Sequence, residues 1–90
     1  MSRDAAPERL AVIWSPAART ELRAIDREAA LQILYCIDRY LRTRVGDVKK
    51  LRPPRTEYRL RWGDYRVFFA FKDPRTVEIT GVRNRQQAYR

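Results

Sequence analysis

A β-hairpin signal over residues 57–69 constrains the fold of this chain more than any other stretch. Two runs rich in aromatic and β-branched residues meet there at Gly63-Asp64. A glycine at the first position of a two-residue turn tolerates the positive φ that such turns require. The turn also sets the register, because the residues that flank it, beginning with Trp62 and Tyr65, must lie opposite each other. We therefore predict two antiparallel strands joined at this glycine.

The predicted hairpin has two chemically different faces, because alternate residues of a strand point to opposite sides of a sheet. One face is apolar and consists of Tyr58, Leu60, Trp62, Tyr65, Val67 and Phe69. The other face gathers the guanidinium groups of Arg59, Arg61 and Arg66. Like charges that face each other across a sheet destabilise it, so folding alone gives no reason for this cluster. We expect an anionic ligand to bind there.

The first half of the chain predicts a strand followed by helices. Residues 10–14 are a short apolar run that predicts a strand buried on both faces. Ser15-Pro16 is typical of a helix start, with serine as N-cap and proline at the first helical position. Apolar residues then recur at helical spacing as far as Leu41. The charged Asp26-Arg27-Glu28 within this stretch marks either a break or a second helix cap.

The second half of the chain completes a sheet. Residues 48–51 suit a short edge segment, Pro53-Pro54 excludes a helix and a central strand, and residues 76–82 alternate as a last strand. The order β-α-α-β-β-β predicts an α+β fold, a small mainly antiparallel four-stranded sheet with two helices packed on one face. The length suits a single domain over residues 10–90 after a flexible leader over residues 1–9.

The positive charge is concentrated in the hairpin half of the chain. Of the formal net charge of +9, residues 1–48 contribute eight basic and seven acidic side chains, and residues 49–90 contribute twelve and four. A solvated basic surface is the alternative, but this asymmetry favours a polyanion, and nucleic acid before a membrane. No secretory signal is present and no run approaches the ~20 apolar residues of a membrane helix, so we expect a cytoplasmic protein without a membrane partner.

The residue types restrict the chemistry that the chain can perform. Histidine is absent and Cys36 is the only cysteine, so no ordinary zinc site is expected and we predict neither a metal nor a cofactor, with magnesium on scattered carboxylates as the one alternative. Guanidinium forks match phosphate oxygens, which makes the hairpin arginines and the C-terminal Arg83 and Arg85 candidate phosphate ligands. Arginine cannot act as a base, so Tyr89 is the titratable candidate, with ring packing as the alternative. Lys49 and Lys50 are candidates for contacts with a nucleic-acid backbone, or they are simply solvated charged side chains.

Several stretches together resemble the RelE/ParE toxin superfamily of bacterial toxin–antitoxin systems. They are Trp14-Ser15-Pro16-Ala17-Ala18 with Leu22, Val48-Lys49-Lys50-Leu51, Tyr58-Arg59-Leu60-Arg61-Trp62-Gly63-Asp64-Tyr65-Arg66-Val67 and Arg83-Asn84-Arg85-Gln86-Gln87-Ala88-Tyr89. The resemblance covers nearly the whole chain from about residue 10. It favours the RelE branch.

The RelE resemblance implies the toxin of a type II system, a ribosome-dependent endoribonuclease that cuts mRNA by 2′-hydroxyl attack on the adjacent phosphate. It implies catalytic roles for Arg59 and Arg61 in RNA positioning and transition-state charge, for Arg66 and Arg83 in phosphate stabilisation, and for Tyr89 in proton transfer or nucleotide orientation. Lys49, Lys50 and Arg85 become RNA-binding residues. The chain departs from relatives that carry hairpin lysines and a histidine where this one has Asn84. These departures leave the general base open.

The same resemblance implies partners and alternatives. A toxin of this kind has a cognate antitoxin protein, expected to be an acidic or amphipathic segment that folds over the helices or adds to the sheet. The ribosome and mRNA are the other implied partners. The ParE branch shares the fold and inhibits DNA gyrase, so a non-nuclease gyrase toxin is one alternative. An inactive module that binds only nucleic acid or an antitoxin is the other.

Overall fold

A computed structural model describes residues 9–85 and contains two helices and one five-stranded sheet. The elements in chain order are β1 (Ala11–Trp14), α1 (Pro16–Arg23), α2 (Arg27–Thr43), β2 (Asp47–Lys50), β3 (Tyr58–Trp62), β4 (Tyr65–Asp73) and β5 (Thr76–Asn84). The sheet order is β1-β5-β4-β3-β2, with β1 and β5 parallel and all other neighbours antiparallel. The predicted α+β fold and its mainly antiparallel sheet are confirmed.

The predicted strand count was one too low. The stretch interpreted as an edge segment forms β2, which pairs with β3 over four residues from Asp47 opposite Arg61 to Lys50 opposite Tyr58. Its sequence carries only one apolar core position, Val48, between charged residues. Its pairing with β3 identifies it as a strand, because an edge strand needs few apolar residues of its own.

The hairpin register is confirmed residue by residue. Trp62 lies opposite Tyr65, and Arg61 lies opposite Arg66. Gly63 has a φ of 56°, and a Cβ placed there would meet no atom within 4 Å, so the backbone conformation alone calls for glycine. The turn therefore sets which side chains of β3 and β4 share a face.

Both helices begin at side-chain caps. The Ser15 hydroxyl accepts a hydrogen bond from the Ala18 backbone N–H at 3.0 Å and starts α1, as predicted. Asp26 accepts from the Ala29 backbone N–H at 3.2 Å and starts α2, so the charged triplet is a second cap. The apolar stripes of the helices cover the Leu60, Val67 and Phe69 face of the sheet. They form one core of Leu10, Ala18, Ile33, Ile37, Leu41, Leu60, Val67, Phe69, Val77, Ile79 and Val82.

The prediction that the first strand is buried on both faces was wrong. β1 is an edge strand that pairs only with β5, and Ile13 is 46% exposed. Val12 and Trp14 pack against the core, whereas Ala11 and Ile13 point to the uncovered face. A continuous apolar run does not reveal that the helices cover one side only.

Two predictions concern the chain ends. Of the leader predicted over residues 1–9, the structure describes only Arg9, which forms an ion pair with Asp38 of α2. Residues 1–8 lie outside the described residues, and so does the predicted site residue Tyr89. Neither helix in the described part of the chain has the length and apolar character needed to cross a membrane.

Candidate functional site

The sheet face turned away from the helices, here called the open face, carries two cross-strand rows of functional side chains. The first row runs through Asp47, Arg61, Arg66 and Arg83 on β2, β3, β4 and β5. The second row runs through Lys49, Arg59, Phe68 and Gly81 on the same strands. The hairpin register thus brings the predicted arginines and Lys49 together, and β5 adds Arg83 to them.

Arg66 is the most deeply placed of these cations, with only 5% of its surface exposed. Its Nη1 donates to the backbone oxygens of Gly63 at 3.2 Å and of Tyr65 at 3.1 Å. These carbonyls belong to the hairpin turn, so the turn that sets the register also orients the guanidinium. A buried guanidinium held in place by backbone acceptors has a fixed orientation on the open face.

Asp47 lies between the two arginines of β3. Its Oδ2 accepts from Arg61 Nε at 2.7 Å, and its Oδ1 lies 3.8 Å from Arg59 Nη2. Arg59 is the less exposed of the two, and within residues 9–85 its buried Nε has no hydrogen-bond partner. A buried donor without an acceptor is costly, so an anion that supplied one would gain binding energy here.

Glu21 of α1 links the helix layer to Arg83. Its Oε1 accepts a hydrogen bond from the Val82 backbone N–H at 2.8 Å. This N–H lies beyond the end of β1, so Glu21 provides the acceptor that a neighbouring strand would otherwise supply. Its Oε2 accepts from Arg83 Nε at 3.2 Å. A Cβ on Gly81 would lie 3.3 Å from Glu21 Oε1 and 3.6 Å from Arg83 Nε, so a bare backbone at this position leaves room for the contact.

Phe68 is the aromatic floor of the open face. Its ring centre lies 5.8 Å from the guanidinium carbon of Arg55 and 5.9 Å from that of Arg83. Contacts of this length between a guanidinium and an aromatic ring are favourable. Beside Phe68 is a groove of about 260 Å³, lined by Lys49, Lys50, Leu51, Arg52, Arg55, Arg59, Arg66 and Phe68. The groove combines an apolar floor with cationic walls.

Glu57 is connected to the groove through Arg55, which lines it. Its Oε1 accepts from Arg55 Nη2 at 2.8 Å, and its Oε2 accepts from the Thr80 hydroxyl at 2.5 Å. Thr80 is the extra residue of a bulge in β5, since Phe68 pairs with Gly81 while Phe69 pairs with Ile79. The Thr80 hydrogen bond, aided by Arg55 and the charge of Arg83, lowers the pKa of Glu57 despite its partial burial.

Two predicted RNA-binding residues, Lys50 and Arg85, also have surroundings outside the groove. The Nζ of Lys50 is 5.9 Å from the ring centre of Tyr58, on the helix side of the sheet, although Lys50 also contributes to the groove wall. Arg85 is exposed at the end of β5, where it lines a separate cavity of about 390 Å³ with Asp64, Tyr65 and Asn84. In the described part of the chain, no three metal-ligating side chains come together as a candidate ion site.

The sequence interpretation missed four residues that shape this site. Arg52 and Arg55 lie in the loop around Pro53-Pro54, and nothing in their spacing indicates that the loop folds back over Phe68. Glu57 is two residues before Arg59 and four before Arg61, so strand alternation alone places all three side chains on the same face. Glu21 comes from a helix far away in sequence, so no local pattern connects it to Arg83.

One family model matches most of the chain. The family model described as the ParE toxin of type II toxin–antitoxin systems, parDE, matches residues 12–89. No curated protein sequence matches the chain significantly.

Solved structures show the same fold at low sequence identity. A chain of the RelBE2 toxin–antitoxin complex from Mycobacterium tuberculosis has a TM-score of 0.75 at 22% identity, over 86% of this chain and 92% of that one. A chain of the RelB–RelE antitoxin–toxin complex from Methanococcus jannaschii has a TM-score of 0.71 at 18% identity, covering 86% and 94%. A chain of the RelE–RelB complex from Pyrococcus horikoshii OT3 has a TM-score of 0.68 at 24% identity, covering 87% and 97%.

Proposed function

The chain belongs to the family of ParE toxins of type II toxin–antitoxin systems, and from this premise we propose that it is a ribosome-dependent endoribonuclease that cleaves translated mRNA. The observation that carries the proposal is the groove of the open face, where cationic side chains converge around Phe68. Arginine and lysine match the phosphates of RNA, and an aromatic ring offers a surface for a base. A single-stranded substrate fits this combination better than a duplex does.

The two rows suggest a division of roles in the reaction. Arg59 and Arg61 lie on β3 beside Asp47, where they can hold the RNA backbone. Arg66, buried and fixed by the turn carbonyls, is suited to stabilise the charge that develops on the phosphate, and Arg83 reaches the same region from β5. Preorganised cations aimed at a developing charge are a major source of rate in enzymes.

Expression of the wild-type chain beside the Tyr89→Phe variant tests the proposal. Primer extension on an abundant messenger should reveal new 5′ ends within translated codons for the wild type, and far fewer for the variant. Arg61→Ala and Arg66→Ala should each relieve growth arrest while antitoxin binding persists. If both variants stay fully toxic, the open face is not the active site.

The family match also carries the ParE name, so inhibition of DNA gyrase is the second candidate function. Growth arrest without new mRNA ends would favour it, and a gyrase supercoiling assay with the purified chain would then show inhibition. Absence of growth arrest in every condition would favour the inactive binding module.

We also propose that a cognate antitoxin covers part of this chain. The outer side of α2 presents Leu31, Leu34 and Tyr35 at the i, i+3, i+4 spacing of one helical stripe, and Tyr35 is 61% exposed. Apolar patches of this kind are typical of protein interfaces, and the net charge of +9 suits an acidic partner. Leu31→Lys with Tyr35→Ala should weaken co-purification with the adjacent gene's product while toxicity is retained. Unchanged co-purification would place the antitoxin elsewhere.

A further inference from the structure

We propose that Glu57 is the general base of the cleavage reaction, an inference that rests on the endoribonuclease function proposed above. In this role its carboxylate accepts the proton of the attacking 2′-hydroxyl. The sequence alone pointed to Tyr89 as the titratable group, and a base at Glu57 leaves that tyrosine to orient the reacting nucleotide.

The position of Glu57 in the sheet supports this role. Glu57 directly precedes β3 and remains paired with the edge of the sheet, because its backbone oxygen accepts from the Leu51 N–H at 3.0 Å. It therefore shares the open face with Arg59, which is two residues further along the chain. Two residues of a strand span about 6.6 Å, so a phosphate held by Arg59 has an adjacent ribose within reach of the Glu57 carboxylate.

Two hydrogen bonds hold the Glu57 carboxylate and leave part of it free to accept a proton. Arg55 and Thr80 each donate one hydrogen bond to it, one to each oxygen, at 2.8 and 2.5 Å. An ionised carboxylate has about four acceptor positions, so both oxygens can still accept a proton. The side chain is 27% exposed, so part of it is accessible from solvent beside the groove-lining Arg55. A rigid, accessible acceptor is what proton abstraction requires.

The surroundings of Glu57 favour its charged form. Thr80 lowers the pKa of Glu57 most strongly, and the charges that face the carboxylate are Arg55 on its own loop and Arg83 on β5. The carboxylate therefore stays in its ionised, proton-accepting form to lower pH than an ordinary glutamate does, and the same shift makes it a weaker base. The other open-face carboxylate beside the arginines, Asp47, is directed at Arg61 and Arg59, which suits positioning of those side chains.

The reaction balances without a further reagent. Glu57 takes the proton as the 2′-oxygen forms its bond to phosphorus, and the bond between phosphorus and the 5′-oxygen breaks. The leaving 5′-oxygen takes a proton from water. The products are a 2′,3′-cyclic phosphate and a 5′-hydroxyl end, and Glu57 returns its proton to solvent.

The test is single-turnover cleavage of a defined mRNA on purified ribosomes, with the Glu57→Gln variant. Glutamine keeps the shape but accepts no proton at this position, so the cleavage rate constant should fall about 100-fold or more while binding to the programmed ribosome is not weakened. Glu57→Asp should recover part of the rate. The control is Glu78→Gln, because Glu78 carries a carboxylate on the same face but pairs with Lys72 outside the groove. It should cleave like the wild type.

A second variant gives a readout that a structural role would not produce. Thr80→Val removes the hydroxyl that lowers the pKa of Glu57 but keeps the side-chain shape, so the acid limb of the pH–rate profile should move to higher pH. If Glu57→Gln cleaves within threefold of the wild type, or if the acid limb does not move, Glu57 is not the base. If the wild type itself leaves ribosome-bound mRNA intact, the endoribonuclease proposal is wrong. That outcome is distinct from an active wild type with an active Glu57→Gln variant, which contradicts only the role of Glu57.

Discussion

Removal of the Arg66 side chain should reduce activity far more than it reduces stability. Arg66→Ala deletes a guanidinium that donates to Gly63 and Tyr65 at the hairpin turn. Loss of one preorganised donor at a developing charge typically lowers kcat by about 100- to 1000-fold. We expect this loss in single-turnover cleavage on programmed ribosomes.

The effect of Arg66→Ala on stability should be much smaller. The two hydrogen bonds stabilise the turn, but the substitution also removes a buried cation that lies opposite Arg61 and Arg83, so the two effects partly offset each other. We expect a net cost of about 1 kcal/mol, which lowers Tm by about 4–8 °C in a domain of this size.

Arg66→Lys provides the matched comparison. Lysine keeps the charge but not the planar fork, so at least about a tenfold loss of rate should remain if the fork geometry matters. Cleavage by Arg66→Ala within threefold of the wild type would refute the assigned role. Full activity of Arg66→Lys would mean that only the charge counts.

Gly63, Glu57 and Arg61 each offer a separate test. Gly63→Ala should destabilise the fold by about 1–2 kcal/mol in chemical denaturation, because φ at this position is 56°, and an unchanged midpoint would contradict the backbone argument. The lowered pKa of Glu57 should stabilise the fold above the ordinary glutamate pKa of about 4.3, and this contribution should be lost as pH falls through the folded value. Thermal melts of Glu57→Gln should therefore lose less stability on acidification than the wild type. Binding of single-stranded RNA should weaken as the salt concentration rises. Arg61→Ala should reduce the slope of log K against log salt by about 0.7, the value of one phosphate contact. An unchanged slope would mean that Arg61 does not contact the RNA.

Much of the fold was predictable because its signals are local. The two-residue turn at Gly63 determines the register of β3 and β4, and Ser15-Pro16 determines where α1 begins. Alternation along β3 then separates the arginines from the apolar residues, because it depends on strand geometry alone. The resemblance to RelE/ParE toxins is confirmed by the family match over residues 12–89.

Other features depended on contacts between distant parts of the chain. The edge position of β1 follows from its parallel pairing with β5, which its apolar sequence does not encode. The two lysines of β2 were predicted as a pair, and both line the groove, but Lys50 also contacts the Tyr58 ring on the helix side of the sheet.

The sequence by itself therefore determined the α+β class, the hairpin and the arginine face, because turn geometry and strand alternation act over a few neighbouring residues. Only the tertiary structure decided that Arg55 lies over Phe68, that Glu21 holds Arg83, and that Glu57 meets Thr80 across a bulge. These contacts join side chains 13 to 62 residues apart, where chain connectivity gives no preference until the sheet has formed.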